Sequence, residues 1–231
     1  MPPKSVVAII GGGFSGVLTL ANLVESAHTP LTIHLFEAAK TIGEGAAYGT
    51  KELVHLLNVR ASNMGAKARM PGHFYEWLQC AGKPYGKDDF APRAVYAEYL
   101  QSILQAAREQ AKNKNITIAL HHETISKVAW NQNQWQLATG KNESFAADAL
   151  VLATGNQPAQ RFAFEANIKN LTRYVADSWN PPVESLFPSR VGTLPAKSHA
   201  VIIGTGLTAI DTVLSLQEAG FKGRITMVSR S

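Results

Sequence analysis

One pattern, an apolar strand followed by a glycine-rich turn and a helix, occurs twice in this chain and limits the possible folds more than any other feature. Residues 5–10 (SVVAII) form an uninterrupted apolar run after Ser5, which is typical of a strand buried on both faces of a parallel sheet. Glycines follow, and apolar residues then recur at helical spacing between Val17 and Val24. Residues 199–228 repeat this order about 190 residues later. The sequence therefore predicts two Rossmann-like βαβ units.

The first turn matches the GxGxxG pattern of dinucleotide-binding loops. Its three glycines would allow a tight turn, close approach of the backbone to a pyrophosphate, and packing of helix on strand. A glutamate ends the next predicted strand, where a carboxylate can bind an adenosine ribose. The alternative is an ordinary glycine-rich turn with an unrelated surface glutamate. The cofactor-contacting residues predicted here are Gly11, Gly13, Phe14, Ser15, Gly16 and Glu37.

The second turn, GTGLTA, places Gly204 and Gly206 in the same pattern, with Ala209 in the third position. Its following strand ends in SRS rather than in an acid. Arg230 would suit a 2′-phosphate, which favours NADP over NAD, although a solvated arginine is the alternative reading. The sequence therefore predicts a second nucleotide site in the unit that begins at residue 199.

Between the two turns the pattern predicts the rest of an α/β domain. Residues 94–112 form an amphipathic helix with Val95, Tyr99, Ile103 and Ala106 on one stripe. Short alternating segments follow, and we interpret them as a strand at NITIAL and an antiparallel meander around the NQN turn and residue 145. The segment ALVLATG then returns to the parallel sheet.

The last of these segments adds a third mark of a nucleotide site. A strand that ends in small residues lets the backbone approach a cofactor, so Thr154 and Gly155 are expected at the carboxyl end of the sheet. We assign residues 1–160 to a dinucleotide-binding domain, 161–198 to a proline-containing connection, and 199–231 to the beginning of an NAD(P)-binding domain. One βαβ unit is an incomplete sheet, so we expect the chain to be part of a longer protein.

Composition excludes several classes of protein. The net charge of +5 is spread along the chain without a basic run, which argues against nucleic-acid binding. No apolar stretch approaches the length needed to cross a bilayer, so no membrane partner is expected. The single cysteine, Cys80, excludes an intrachain disulfide, indicates the cytoplasm, and is expected to be a buried small hydrophobe.

Longer motifs show a family resemblance over most of residues 5–158. They are IIGGGFSGVLTLANL, GEGAAYG, HLLNVRASNM, HFYEWL, FAPRAVYAEYLQ and LATGNQP. With them the chain resembles the bacterial FAD/NAD(P)-binding flavoproteins, and VIIGTGLTAID is similar to the NADPH loop of flavin-containing monooxygenases. The resemblance implies an oxidoreductase in which FAD binds at the first turn, NAD(P)H binds at the second, and electrons pass to oxygen or another acceptor. It implies a small-molecule substrate that the motifs do not specify, and no particular oligomer.

The resemblance also implies that the flavin ring lies near residues 43–60, where His55 and Asn58 are the polar candidates. A structural role for His55 is an equal alternative. Arg69 and Arg93 lie in family motifs and would contact phosphates or form salt bridges. A non-catalytic FAD-binding module or sensor is the alternative to an enzyme.

No metal site is expected from the sequence, because no histidines and acids have ligand spacing. The adjacent His121 and His122 follow a predicted strand, and neighbours on an extended chain face opposite ways. We therefore interpret them as a strand-end pair.

Overall fold

The computed structural model of the chain describes residues 4–156, 160–169, 171–180, 185, 187 and 189–229. Within those residues the chain forms two compact units. Unit 1 takes in the residues up to Lys51 together with Leu56–Asn156, and unit 2 takes in Glu52–His55 together with the described residues from 160 onward. The domain limits inferred from sequence stay a prediction, although the structure groups the expected connection with the second unit.

Unit 1 alternates strands and helices before it turns antiparallel. A short 3-10 helix, Ala61–Asn63, lies between the second and third α-helices. In chain order the elements are β1 (Ser5–Ile10), α1 (Phe14–Ser26), β2 (Leu31–Phe36), α2 (Gly45–Tyr48), α3 (His73–Cys80), α4 (Arg93–Asn113), β3 (Ile116–His121), β4 (Ile125–Asn131), β5 (Gln134–Thr139), β6 (Ser144–Ala147) and β7 (Ala149–Leu152).

Four of these strands form a parallel sheet in the order β3-β2-β1-β7. In register, Ile10 lies beside Phe36 and Leu152, and Phe36 lies beside His121. The segments that follow β1, β2 and β7 therefore leave the sheet at one edge. This arrangement confirms the predicted Rossmann-like fold, because β7 returns to the parallel sheet after the meander.

Helices α1 and α4 cover one face of this sheet. Val17, Leu20 and Val24 of α1 are fully buried, as the helical spacing predicts. On α4 the predicted stripe is correct for Val95, Tyr99 and Ile103 but wrong at its last position. There Ala106 is exposed and the neighbouring Ala107 is buried instead. The buried residues of the stripe, Val95, Tyr99 and Ile103, are spaced four residues apart, and Ala107 continues that spacing.

The meander β4-β5-β6 packs on the opposite face. Ala8 and Phe36 of the parallel sheet form one apolar cluster with Leu137 and Ala147 of the meander. Gln132 and Asn133 both have positive φ angles, 50° and 61°, which is the conformation of a type I′ hairpin turn.

The exposure of Cys80 contradicts the expectation of burial. Helix α3 buries Phe74 and Leu78, which are one turn apart. Cys80 lies two residues beyond Leu78, about 200° further round the helix, and therefore faces away from the core.

Unit 2 contains the second βαβ motif. Strands β8 (His199–Ile203) and β9 (Arg224–Val228) are parallel, and α5 (Leu207–Glu218) connects them. Leu216 and Phe221 are buried with Val191 beside them in the core of this unit. Short 3-10 helices, Ala163–Asn167, Leu171–Arg173 and Val191–Thr193, precede β8.

Candidate dinucleotide sites

Two glycines of the first turn are required by the fold of unit 1 itself. Gly11 follows β1 with φ of 102°, and its N–H donates to the carbonyl of Phe36 at 2.8 Å. A Cβ on Gly11 would lie 2.1 Å from the carbonyl oxygen of Ala153, and a Cβ on Gly16 would lie 1.9 Å from that of Gly11. Neither position can accept a side chain without displacing backbone.

Gly13 differs from these two, because the packing of unit 1 does not require a glycine there. Its φ is −71°, and an added Cβ would lie 3.4 Å from the Cα of Gly45, an ordinary contact. Helix α1 begins at the next residue, Phe14, and Ser15 and Gly16 continue its first turn. Within the described chain no side chain caps this helix end. The turn thus presents free N–H groups beside a position without a side chain, and a pyrophosphate fits that cradle.

Glu37 follows β2 and shapes the same turn. Its Oε2 accepts a hydrogen bond from the Gly12 N–H at 2.7 Å, and its Oε1 accepts one from the Ala39 N–H at 2.8 Å. A carboxylate oxygen has more than one lone pair, so these bonds leave acceptor capacity for ribose hydroxyls.

A second loop lies against the first turn. The Gly43 N–H donates to the Gly12 carbonyl at 2.6 Å, and the side-chain amide of Gln101 donates to the Ile42 carbonyl. The ring of Tyr48, further along this loop, lies 6.2 Å from that of Phe14. Burial raises the pKa of the Tyr48 phenol, so it is neutral and can act as a hydrogen-bond donor.

The segment after β7 completes this edge of the sheet. Thr154 and Gly155 are exposed, and Gly155 has φ of 71°. The Thr154 nitrogen is 3.1 Å from the position of a Cβ on Gly11, so this segment touches the glycine turn. Asn58 is also exposed, next to the buried Leu57. The predicted residues of the first turn, Glu37, Thr154 and Gly155 are therefore brought together.

Unit 2 repeats the glycine turn with more space. Gly204 follows β8 with φ of 120°, and its N–H donates to the Val228 carbonyl at 2.7 Å. Gly206 precedes α5 with φ of −78°, and nothing in the described chain lies within 4 Å of a Cβ built there. Arg230, the predicted 2′-phosphate ligand, lies outside the described residues.

His55 belongs to unit 2 and is 5% exposed. Its Nε2 lies 2.9 Å from the Ser215 hydroxyl and 3.2 Å from the Asp211 carbonyl, both on α5. The Ser215 hydroxyl also donates to the Glu52 carboxylate at 2.5 Å, and the His55 ring contacts Trp179 edge-on. These contacts give His55 a packing role in unit 2, and its predicted role toward the flavin stays a prediction.

Of the remaining candidates from the sequence, Arg93 and the two histidines contact other described residues. Arg93 donates through Nε to the Leu56 carbonyl at 3.1 Å, and Arg69 is exposed with φ of 64°. His121 faces His34, with ring nitrogens 2.8 Å apart, whereas the next histidine, His122, is 3.0 Å from the Ala39 carbonyl. The strand-end interpretation of the two histidines is thus confirmed.

The described residues contain neither a metal-ligand group nor a membrane-spanning helix. No group of three or more histidine, cysteine, aspartate and glutamate side chains is arranged to hold a metal ion among them. No helix in the described part of the chain has the length and apolarity needed to span a membrane.

Comparison with known proteins identifies the family of unit 1. The family model described as FAD-NAD(P)-binding matches residues 8–157, which contain the glycine turn, Glu37 and the strand before Thr154. This chain belongs to the FAD-NAD(P)-binding family. FAD and NAD(P) are therefore the cofactors of the family to which this chain belongs.

Similar proteins extend beyond the length of this chain. Protein YdhS of Escherichia coli (strain K12) is 25% identical over an alignment of 229 positions that covers 91% of this chain and 39% of YdhS. A cyclohexanone monooxygenase of Rhodococcus sp. Phi1, solved with NADP+, has a TM-score of 0.61 at 18% identity and covers 99% of this chain. A flavin monooxygenase of Stenotrophomonas maltophilia has a TM-score of 0.60 at 13% identity, also over 99% of this chain.

This chain spans 39% of YdhS and of the Rhodococcus enzyme, and 58% of the Stenotrophomonas enzyme. At such low identities the two solved structures show that this chain shares their fold.

The family resemblance placed the flavin ring near residues 43–60, but the residues of the second loop that lie against the first turn were not among the individual candidates. Gly43 and Gly45 both have positive φ, 98° and 54°, and the glycines of GEGAAYG were the available signal. Gln101 has no such signal, because its side chain meets a carbonyl 59 residues away in the sequence.

Proposed function

We propose that this protein is an oxidoreductase that binds FAD at the glycine turn of unit 1 and NAD(P)H at the glycine turn of unit 2. When bound, the two cofactors supply the redox chemistry, with hydride passing from the nicotinamide to the flavin and electrons then to oxygen or another acceptor. The monooxygenases of similar fold support oxygen as the acceptor. The single cysteine of the chain supports the cytoplasm as its location.

The observation that carries this proposal is the pair of glycines, Gly13 and Gly206, which the fold does not need. Among the described residues, alanine at either position meets only ordinary contacts or none, and neither φ is positive. Both glycines lie between the end of a parallel strand and the start of a helix, and a glycine at that place is explained by a ligand whose phosphates approach the backbone.

In unit 1 we assign the N–H groups of Phe14, Ser15 and Gly16 to the FAD pyrophosphate and the Glu37 carboxylate to the adenosine ribose. Thr154 and Gly155 lie beside the turn without covering it with a bulky side chain. Asn58 is the exposed polar candidate for the flavin ring.

In unit 2 we assign the pyrophosphate of the nicotinamide cofactor to Gly204, Gly206 and the first turn of α5. Arg230 favours NADP over NAD. A guanidinium forms a charged pair with the 2′-phosphate of NADP, whereas NAD has an uncharged ribose hydroxyl at that position.

The test is titration of the purified apoprotein with FAD, followed by anaerobic addition of NADPH or NADH. We expect a flavin absorption band that stays with the protein on desalting, and bleaching of that band by NADPH faster than by NADH. A band that persists under both nucleotides would favour the alternative of a binding module without turnover. A folded protein that takes up no FAD would refute the proposal.

Two alanine variants separate the cofactors. Gly13→Ala places a methyl group in the pyrophosphate position of unit 1, and Gly206→Ala does the same in unit 2. We expect each to weaken its own cofactor by about 10-fold to 100-fold, the effect of about 1.4–2.8 kcal/mol, and to leave the other affinity unchanged. Gly72→Ala is the matched control, because no described residue lies within 4 Å of a Cβ there, as at Gly206.

A further inference from the structure

The turn Ile42–Gly43 lies between the glycine turn of unit 1 and helix α4. On one side the Gly43 N–H donates to the Gly12 carbonyl at 2.6 Å. On the other side the side-chain amide of Gln101 donates to the Ile42 carbonyl. Gly43 has φ of 98°, and a Cβ on it would lie 3.4 Å from the Gln101 amide nitrogen. Gln101 therefore packs directly beneath this turn.

Gly12 is held at both of its backbone polar groups. Its N–H donates to Glu37 at 2.7 Å, and its carbonyl accepts the bond from Gly43. These two bonds fix the peptide planes on either side of Gly12, and the next residue, Gly13, begins the cradle. The direction in which the first N–H groups of α1 point thus depends on where Gly43 is held.

Helix α4 gives Gln101 a rigid base. Tyr99 and Leu100 are fully buried, and Ile103 and Leu104 are 7% and 6% exposed. Gln101 itself is half-buried on this helix. The second loop contains Gly43 and Gly45, both with positive φ, and glycines have large conformational freedom. The hydrogen bond from the Gln101 amide therefore fixes this loop relative to the packed core.

We propose that Gln101 is a positioning residue for FAD, acting through Ile42–Gly43 and Gly12 on the pyrophosphate turn. The inference rests on the proposed binding of FAD to unit 1. Gln101 does not touch the cofactor in this scheme: it presets the N–H groups that do, and so lowers the ordering cost of binding.

The test compares Gln101→Met and Gln101→Glu with wild type in the full chain. Methionine keeps the length of the side chain and removes the donor, and we expect FAD to bind about 10-fold more weakly, the effect of a lost hydrogen bond. Glutamate places a second acceptor against the Ile42 carbonyl, which opposes ionisation of the new carboxyl, and its affinity deficit should shrink as the pH is lowered from 7.5 to 5, because the protonated carboxyl can donate.

Gln105→Met is the control, because that amide lies one turn along α4 and bonds to Glu109 at 2.8 Å on the surface. We expect Gln105→Met to bind FAD as wild type does, and NADP+ affinity and Tm of the apoprotein to change little in any variant. The pH recovery should be confined to Gln101→Glu, with wild type and Gln101→Met measured at the same pH values.

Unchanged FAD affinity in Gln101→Met would overturn the inference while leaving the proposed function standing. Equal losses of FAD affinity, NADP+ affinity and Tm in both Gln101 variants would also overturn it, because the residue would then act on folding in general. Failure of the wild-type protein to bind FAD would refute the proposed function and, with it, this inference.

Discussion

Replacing Gly11 by alanine tests whether the glycine turn is set by the fold before any cofactor binds. At φ of 102° an alanine is strained, and such a conformation costs about 1–3 kcal/mol. In addition the new Cβ would lie 2.1 Å from the Ala153 carbonyl oxygen, so β1 and the end of β7 must separate by about 1 Å. That movement strains the bond from the Ala153 N–H to the Ile10 carbonyl, which is 2.7 Å long. We expect a total loss of about 2–4 kcal/mol in the free energy of unfolding.

Urea denaturation of the apoprotein, followed by circular dichroism, measures this loss directly. Gly72→Ala is again the control, because its φ is −79° and no described residue lies within 4 Å of a Cβ there, and we expect it to stay within about 0.5 kcal/mol of wild type. Gly13→Ala should also denature near wild type, since its Cβ meets only an ordinary contact. A Gly11→Ala protein as stable as wild type would refute the reasoning, because the turn would then adapt freely.

Two further predictions concern other parts of the molecule. Ser215→Ala removes the hydroxyl that bonds to Glu52 and His55, and we expect unit 2 to lose about 1–3 kcal/mol in the same denaturation experiment, while an unchanged midpoint would contradict this. Burial lowers the pKa of His34 and of His121, so the unfolded chain binds protons first as pH falls below about 6.5. The free energy of unfolding should therefore decrease as the pH is lowered from 7.5 to 5. Replacement of both histidines with glutamine should make this decrease smaller. An equally steep decrease in the double variant would rule out this pair as the cause.

The sequence was sufficient for the elements and for most of the first cofactor turn. Burial of β1 on both faces, the spacing of Val17 and Val24, and the NQN hairpin are all local patterns, and each follows from the conformations of a few adjacent residues. The glycine turn belongs to this class as well, because Gly11 must adopt a φ that other residues avoid.

The tertiary structure alone decided which distant groups meet. The order β3-β2-β1-β7 brings Ala153 against Gly11, and 59 residues separate Ile42 from the Gln101 amide that holds it. The His55 ring lies within hydrogen-bond distance of the Ser215 hydroxyl, although 160 residues separate them in the sequence. Nothing in the sequence near either residue indicates this contact. Contacts of this kind depend on how complete helices and strands pack against one another. Such packing produces no periodic pattern of residues that could be recognised in the sequence. The sequence therefore predicts where a dinucleotide binds, whereas the fold determines which side chains hold the loops of that candidate site in place.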